Sequence, residues 1–291
     1  MVWSELIVCY LFLAGLGAGS FLLACLAGWL KGPTRKIRLI GSLVGFVAVG
    51  VGTLLLMVDA RAGLGHPARF FGLVTNLASP MAWGVICLTV FLVLCAVSLI
   101  VQLRKKAVPK AVDVLGALCS IGVATYTGVL LGYSVSYPLW NIVILPLLFV
   151  VSAALAGFSL VSAIAYFVAR DELPSLKFMR KADVALPVLV GVLFAALLVA
   201  TALSPAGAPQ EASSATIQSI LAGAYAPVFW IGVVACGIVV PLATGIARYA
   251  SKRDEVTKTS VAGYVATCVG EFAMRYVIVM AAVGMTIGAI F

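Results

Sequence analysis

Histidine and charge are what this sequence does almost without. His66 is the only histidine in 291 residues. A membrane haem held by two imidazoles needs paired histidines, so that cofactor is excluded. The same shortage argues against zinc or di-iron centres built on imidazole. Seven cysteines are present, but none forms a CxxC pair, and all lie inside apolar runs. They read as small buried residues, not as ligands of an iron–sulfur cluster. Nucleophile-elbow, metalloprotease and phosphate-loop patterns are missing too. Acidic and basic side chains together make up 10% of the chain, against about 25% in a soluble domain. That is too little charge for a surface facing water.

What fills the sequence instead is apolar: 64% of residues are hydrophobic and the mean hydropathy is +1.20. A net charge of +9 suggests nucleic acid at first sight. The cations contradict that, because they sit in short clusters between long apolar runs, as loops between membrane spans do. Crossing a bilayer core takes roughly 20 apolar residues. On that rule spans are expected near 5–30, 37–58, 80–103, 111–135, 139–168, 183–203, 224–247 and 259–290. Runs of this length without period-2 alternation rule out strands. The predicted fold is an all-α integral membrane protein, one polytopic domain of eight transmembrane helices arranged as two four-helix bundles.

The basic clusters set the orientation. Lys31, Arg35, Lys36 and Arg38 follow the first span, and Arg104, Lys105, Lys106 and Lys110 the third. Arg170, Lys177, Arg180 and Lys181 follow the fifth, and Arg248, Lys252, Arg253 and Lys258 the seventh. All four fall on one side, which the positive-inside rule makes cytoplasmic. Both termini, the 59–79 loop and the 204–222 loop are then expected on the outer face. The first span lacks a basic leading segment and reads as a retained helix, not a cleaved signal.

Charged groups inside spans are costly and default to functional candidates. Glu271 and Arg275 stand at i,i+4 on the eighth span, within reach of each other. They read either as a structural ion pair or as a proton-handling carboxylate held by an arginine. Asp59 and Arg61 end the second span, with His66 and Arg69 close behind. Glu5 and Tyr10 lie at the outer end of the first span, and Tyr126 and Tyr133 in the outer half of the fourth. Each alone is ordinary, and the tyrosines also suit an interfacial belt. Together they concentrate polar chemistry in the outer half, where the inner half offers almost no counterpart beyond Asp113. Gly15, Gly17 and Gly19 have the glycine density of a dinucleotide loop, but they sit within an apolar helix. Close helix packing explains them better, and such packing can leave a slot for a flat ligand.

Several segments in register resemble the membrane subunit of polysulfide reductase, the NrfD-like (PsrC-like) family related to dimethyl sulfoxide reductase anchors. They are residues 10–19 (YLFLAGLGAG), 64–71 (LGHPARFF), 76–84 (NLASPMAWG), 126–128 (YTG), 138–141 (PLWN) with 145–149 (LPLLF), and 275–279 (RYVIV). The resemblance implies a bacterial or archaeal cytoplasmic-membrane anchor that holds no cofactor and exchanges electrons with menaquinone or ubiquinone. It also implies a periplasmic four-cluster iron–sulfur subunit that connects the anchor to a molybdopterin catalytic subunit. By motif position Tyr126 matches a family tyrosine that contacts quinone. Tyr10 falls where some members carry histidine, and a phenol can equally donate to a carbonyl. Glu5 lies near a polar contact position, and Asp59 and His66 match polar positions suited to proton exchange.

Elementary chemistry gives the same picture. A quinone is a flat ring that needs an apolar slot and polar groups for its two oxygens. Oxidising a quinol releases two protons with two electrons, so a carboxylate or imidazole with a path to water is needed nearby. The competing readings are a secondary transporter working through Glu271 and Arg275, and a passive tether with no quinone chemistry.

Overall fold

A computed structural model describes residues 5–59, 80–251 and 255–285. Among them are eight helices long and apolar enough to cross a membrane. These are α1 (Glu5–Ala27), α2 (Arg35–Asp59), α3 (Pro80–Leu103), α4 (Lys110–Gly132), α5 (Ile144–Val168), α6 (Met179–Ala202), α8 (Val228–Ala250) and α9 (Lys258–Met280). A shorter helix, α7 (Ala208–Leu221), joins α6 to α8, and no strand occurs among the described residues. At 1.5 Å per residue each long helix measures about 35 Å, enough to cross a hydrocarbon core of about 30 Å with some tilt. The protein is a multi-pass membrane protein.

The outside of the bundle is as apolar as its inside. Leu43, Val47, Val51, Leu54 and Val58 form an exposed stripe down α2, and Val90, Val93, Val97 and Ile100 do the same on α3. In water, leaving one such side chain uncovered forfeits about 1.5–3 kcal/mol. In lipid the loss vanishes, because acyl chains solvate these side chains as well as a protein core does.

With no hydrophobic force between helices in lipid, packing rests on small residues. A Cβ on Gly17 would lie 3.0 Å from the carbonyl of Gly45 on α2, and one on Gly41 would lie 2.6 Å from the carbonyl of Ser20. The backbones of α1 and α2 therefore touch along an antiparallel seam. On its other flank α1 meets α5, where Gly19 and Gly157 each leave room only for the partner's main chain. Gly237 of α8 and Gly270 of α9 approach in the same way. Glycines 17 and 19 of the first helix are thus packing residues.

Several hydroxyls in the spans return to their own helices: Ser20 donates to the carbonyl of Leu16 at 2.7 Å, Thr53 to Val49 at 2.8 Å and Ser120 to Gly116 at 2.8 Å. That satisfies a polar group where no water is available. α5 starts where Asn141 Oδ1 accepts from the amides of Val143 and Ile144. Thr257 and Ser260 cap α9 reciprocally. The first half of α8, Val228–Val239, is wound as a wide π-helix before Val240–Ala250 returns to α-helical geometry.

Candidate functional site

Two buried polar assemblies lie toward the end of the bundle that carries Glu5. The first pairs α1 with α4. Tyr10 is fully buried, and its hydroxyl finds no hydrogen-bond partner of good geometry among the described residues. It sits beside the hydroxyl of Tyr126, itself 7% exposed. Tyr126 fits only because α3 carries Gly84 opposite, where any Cβ would collide with the phenol ring. A phenol cannot fold back onto its own helix as serine does, so among the described residues Tyr10 has only the Tyr126 hydroxyl to address, in poor geometry. Leaving such a group unpaired costs about 1–3 kcal/mol.

The second assembly joins α9, α5 and α1. Arg275 Nη1 donates to Glu271 Oε2 at 3.2 Å and to the Glu271 carbonyl at 3.0 Å. Its Nε donates to the carbonyl of Leu11 at 3.2 Å, next to Tyr10 in sequence. Ser152 on α5 donates its hydroxyl to the Glu271 carboxylate. The guanidinium lies 5.2 Å from the Phe149 ring centroid and 5.9 Å from that of Phe12. Both charged side chains are 1% exposed. The flat slot expected beside Gly15 exists, and the flat group filling it is this guanidinium.

Glu5 is exposed in the first turn of α1, away from both assemblies' buried atoms. His66 and the side chain of Asp59 lie outside the described residues. The structure therefore unites Tyr10 with Tyr126 and Glu271 with Arg275, and it sets the second pair against the turn of α1 that bears the first. The cavities of about 350, 390 and 300 Å³ all lie elsewhere.

The opposite, basic end corrects the expectation that Asp113 is nearly alone there. Arg38 Nη2 donates to both carboxylate oxygens of Asp113, at 2.7 and 2.9 Å. Arg248 of α8 donates to Asp183 of α6 at 2.6 Å, and Tyr264 of α9 donates to the same oxygen at 3.0 Å. Sequence reading placed Arg248 in a solvated loop cluster and passed over Asp183 and Tyr264. Arg248 and Tyr264 lie 65 and 81 positions from Asp183, so only packing reveals the cluster. In the loop after α5, Asp171 accepts from Lys36 of the first turn of α2 at 3.1 Å, which holds its carboxyl below the usual aspartate value.

Comparison with known proteins supplies what geometry alone does not. The family model described as "Polysulphide reductase, NrfD" matches residues 1–287. The C subunit of polysulfide reductase from Wolinella succinogenes is 29% identical over 273 residues, covering 85% of this sequence and 84% of that protein. The NrfD protein of Escherichia coli is 28% identical over 277 residues, covering 83% of each. An NrfD homologue of Haemophilus influenzae is 27% identical over 274 residues, covering 83% of this sequence and 82% of its own.

Proposed function

This chain belongs to the NrfD polysulphide reductase family, and from that premise we propose that it is the quinone-reactive membrane subunit of a respiratory oxidoreductase. It holds no redox centre of its own. It passes electrons between menaquinone or ubiquinone and a four-cluster iron–sulfur subunit docked at the Glu5 end, which serves a molybdopterin catalytic subunit. The basic end faces the cytoplasm of a bacterial or archaeal cell, and both termini face outward. In this reading α1–α4 form one four-helix group and α5, α6, α8 and α9 the other, within a single polytopic domain.

The observation that supports the proposal is the buried Tyr10 hydroxyl beside Tyr126, which makes no hydrogen bond of good geometry among the described residues. One quinone oxygen is the acceptor that this donor lacks, and Tyr126 offers a second donor at the same site. Arg275 stiffens the adjacent turn of α1 through Leu11, which holds Tyr10 in place. Quinol oxidation then delivers two electrons to the docked subunit and two protons to the outer boundary. Glu5, Asp59 and His66 are the proton acceptors there. Glu271 and Arg275 act as a structural lock, since Nε of Arg275 is committed to α1 and Nη1 to Glu271.

The test is quinol-dependent reduction of the partner's iron–sulfur clusters in a complex purified in mild detergent. Reduction by added quinol, slowed in Tyr126→Phe with assembly intact, is the expected result. A fully assembled complex whose clusters never respond to quinol would leave this subunit as a passive tether.

A further inference from the structure

A groove of about 350 Å³ opens at the basic end, between the loop joining α1 to α2 and the loop joining α3 to α4. Arg35, Arg38, Gln102, Lys105 and Lys106 line it. Among the described residues Arg35, Lys105 and Lys106 have no carboxylate partner, and Asp113 offsets Arg38 alone. The groove therefore carries three uncompensated positive charges.

Two further observations distinguish it from an ordinary basic loop. Buried polar atoms remain unspent in its wall. Gln102 is 5% exposed, and its amide nitrogen donates to Ser42 and Ser98 at 3.0 and 2.9 Å, which leaves Oε1 without a partner. Arg38 uses Nη2 on Asp113, and its Nε is buried and unpaired. The backbone is also strained toward this arrangement. Lys105 has φ 58° at the end of α3, where its amide bonds Gln102 and the next amide bonds Val101 at 3.1 Å. That ending favours glycine, so a lysine there sacrifices backbone ease for a cation on the groove wall.

We propose that this groove binds a phosphate group, carried either by an anionic lipid headgroup or by free phosphate. Guanidinium and ammonium groups supply charge-assisted donors to the phosphate oxygens, and Gln102 Oε1 accepts from a hydroxyl borne by the ligand. The volume exceeds a bare phosphate and suits a phosphoglycerol. The groove also lies at the ends of helices long enough to cross the bilayer core, which is headgroup depth. A bound phosphate would bridge the α1–α2 and α3–α4 hairpins. The site is remote from Tyr10 and Tyr126 and stands whether or not those tyrosines meet a quinone.

The experiment uses the full-length protein, with any subunits it retains, in phosphatidylcholine nanodiscs. Phosphatidylglycerol is introduced in one arm and inorganic phosphate at constant ionic strength in the other. Retained lipid is read by native mass spectrometry and ligand affinity from the shift in unfolding temperature. Lys105→Gly relieves the strained backbone while removing charge, so folding survives. Combined with Lys106→Gln it should weaken binding about 25-fold, at about fivefold per lysine near the headgroup. Lys110→Gln removes one charge outside the groove and should change affinity less than twofold, against about fivefold for Lys106→Gln alone. Selective loss in the phosphatidylglycerol arm identifies a lipid site, and selective loss in the phosphate arm a soluble-anion site. Equal responses of the groove variant and the Lys110→Gln control in both arms, or no response from the unmodified protein, would overturn the proposal.

Discussion

Gly15 of α1 and Arg275 of α9 fit one another: a Cβ on the glycine would fall 2.6 Å from a guanidinium nitrogen. The arginine can bond the carbonyl of Leu11 only because that surface is bare. Gly15→Ala should therefore expel the guanidinium and destabilise the protein by about 1–3 kcal/mol. Gly50→Ala is the control. Nothing lies within 4 Å of a Cβ there, so it should be neutral or stabilise by up to about 1 kcal/mol through helix propensity. Thermal unfolding of the two variants in the same detergent decides the matter, and equal effects would remove Gly15 as the arginine's seat.

Breaking the Glu271–Arg275 pair from one side should cost far more than removing both charges. Glu271→Gln leaves a buried guanidinium without its carboxylate, at a cost of about 3 kcal/mol. Adding Arg275→Met should recover much of that loss. If instead Glu271→Gln assembles and unfolds normally but turns over poorly, the carboxylate carries protons and the structural reading is wrong.

Tyr10→Phe should separate stability from activity. Among the described residues the lost hydroxyl makes no hydrogen bond of good geometry, so the variant in quinone-free detergent should unfold at the same temperature or higher. Quinol-driven turnover should drop about tenfold, the worth of one hydrogen bond to the substrate. Unchanged turnover would take Tyr10 out of the quinone site.

Two aspartates at the basic end should behave oppositely. Asp183→Asn strips a buried arginine and a tyrosine of their shared acceptor and should lower the unfolding temperature clearly. Asp171→Asn disturbs only an exposed pair and should leave it unchanged at neutral pH. Because Lys36 lowers the Asp171 pKa in the folded state, whatever the pair contributes is complete above the unfolded carboxylate's pKa. It fades as acid carries the pH down through the folded value. A pH titration of wild type against Asp171→Asn should therefore show any small difference only above the unfolded carboxylate's pKa and none in acid, and a difference that grows in acid would contradict this assignment.

Much of the architecture was legible because lipid imposes a simple grammar of long apolar runs with cations between them. Helix ends were less so. The apolar run of the fifth span begins near 139, but α5 begins at Ile144, because Asn141 ends a turn built of apolar residues that hydropathy cannot register. The Glu271–Arg275 pair was visible since it is local, one helical turn apart. Ser152, its third member, is one serine in an apolar run and carries no signal. The π-helical winding of α8 likewise has no counterpart in residue periodicity. Tyr10 and Tyr126 stood out through depth and family likeness, while their mutual approach depends on Gly84, a residue notable only once its neighbour is known.

The seat of Arg275 also has a consequence for biogenesis. Helices enter the bilayer one by one as the ribosome delivers them, and they associate laterally afterwards. The carbonyl of Leu11 and the bare face at Gly15 emerge first, and Arg275, whose guanidinium occupies them, follows 264 residues after Leu11. Until then the first hairpin carries an open socket that α9 closes, and a polypeptide truncated before Arg275 would reach the quality-control proteases unlatched.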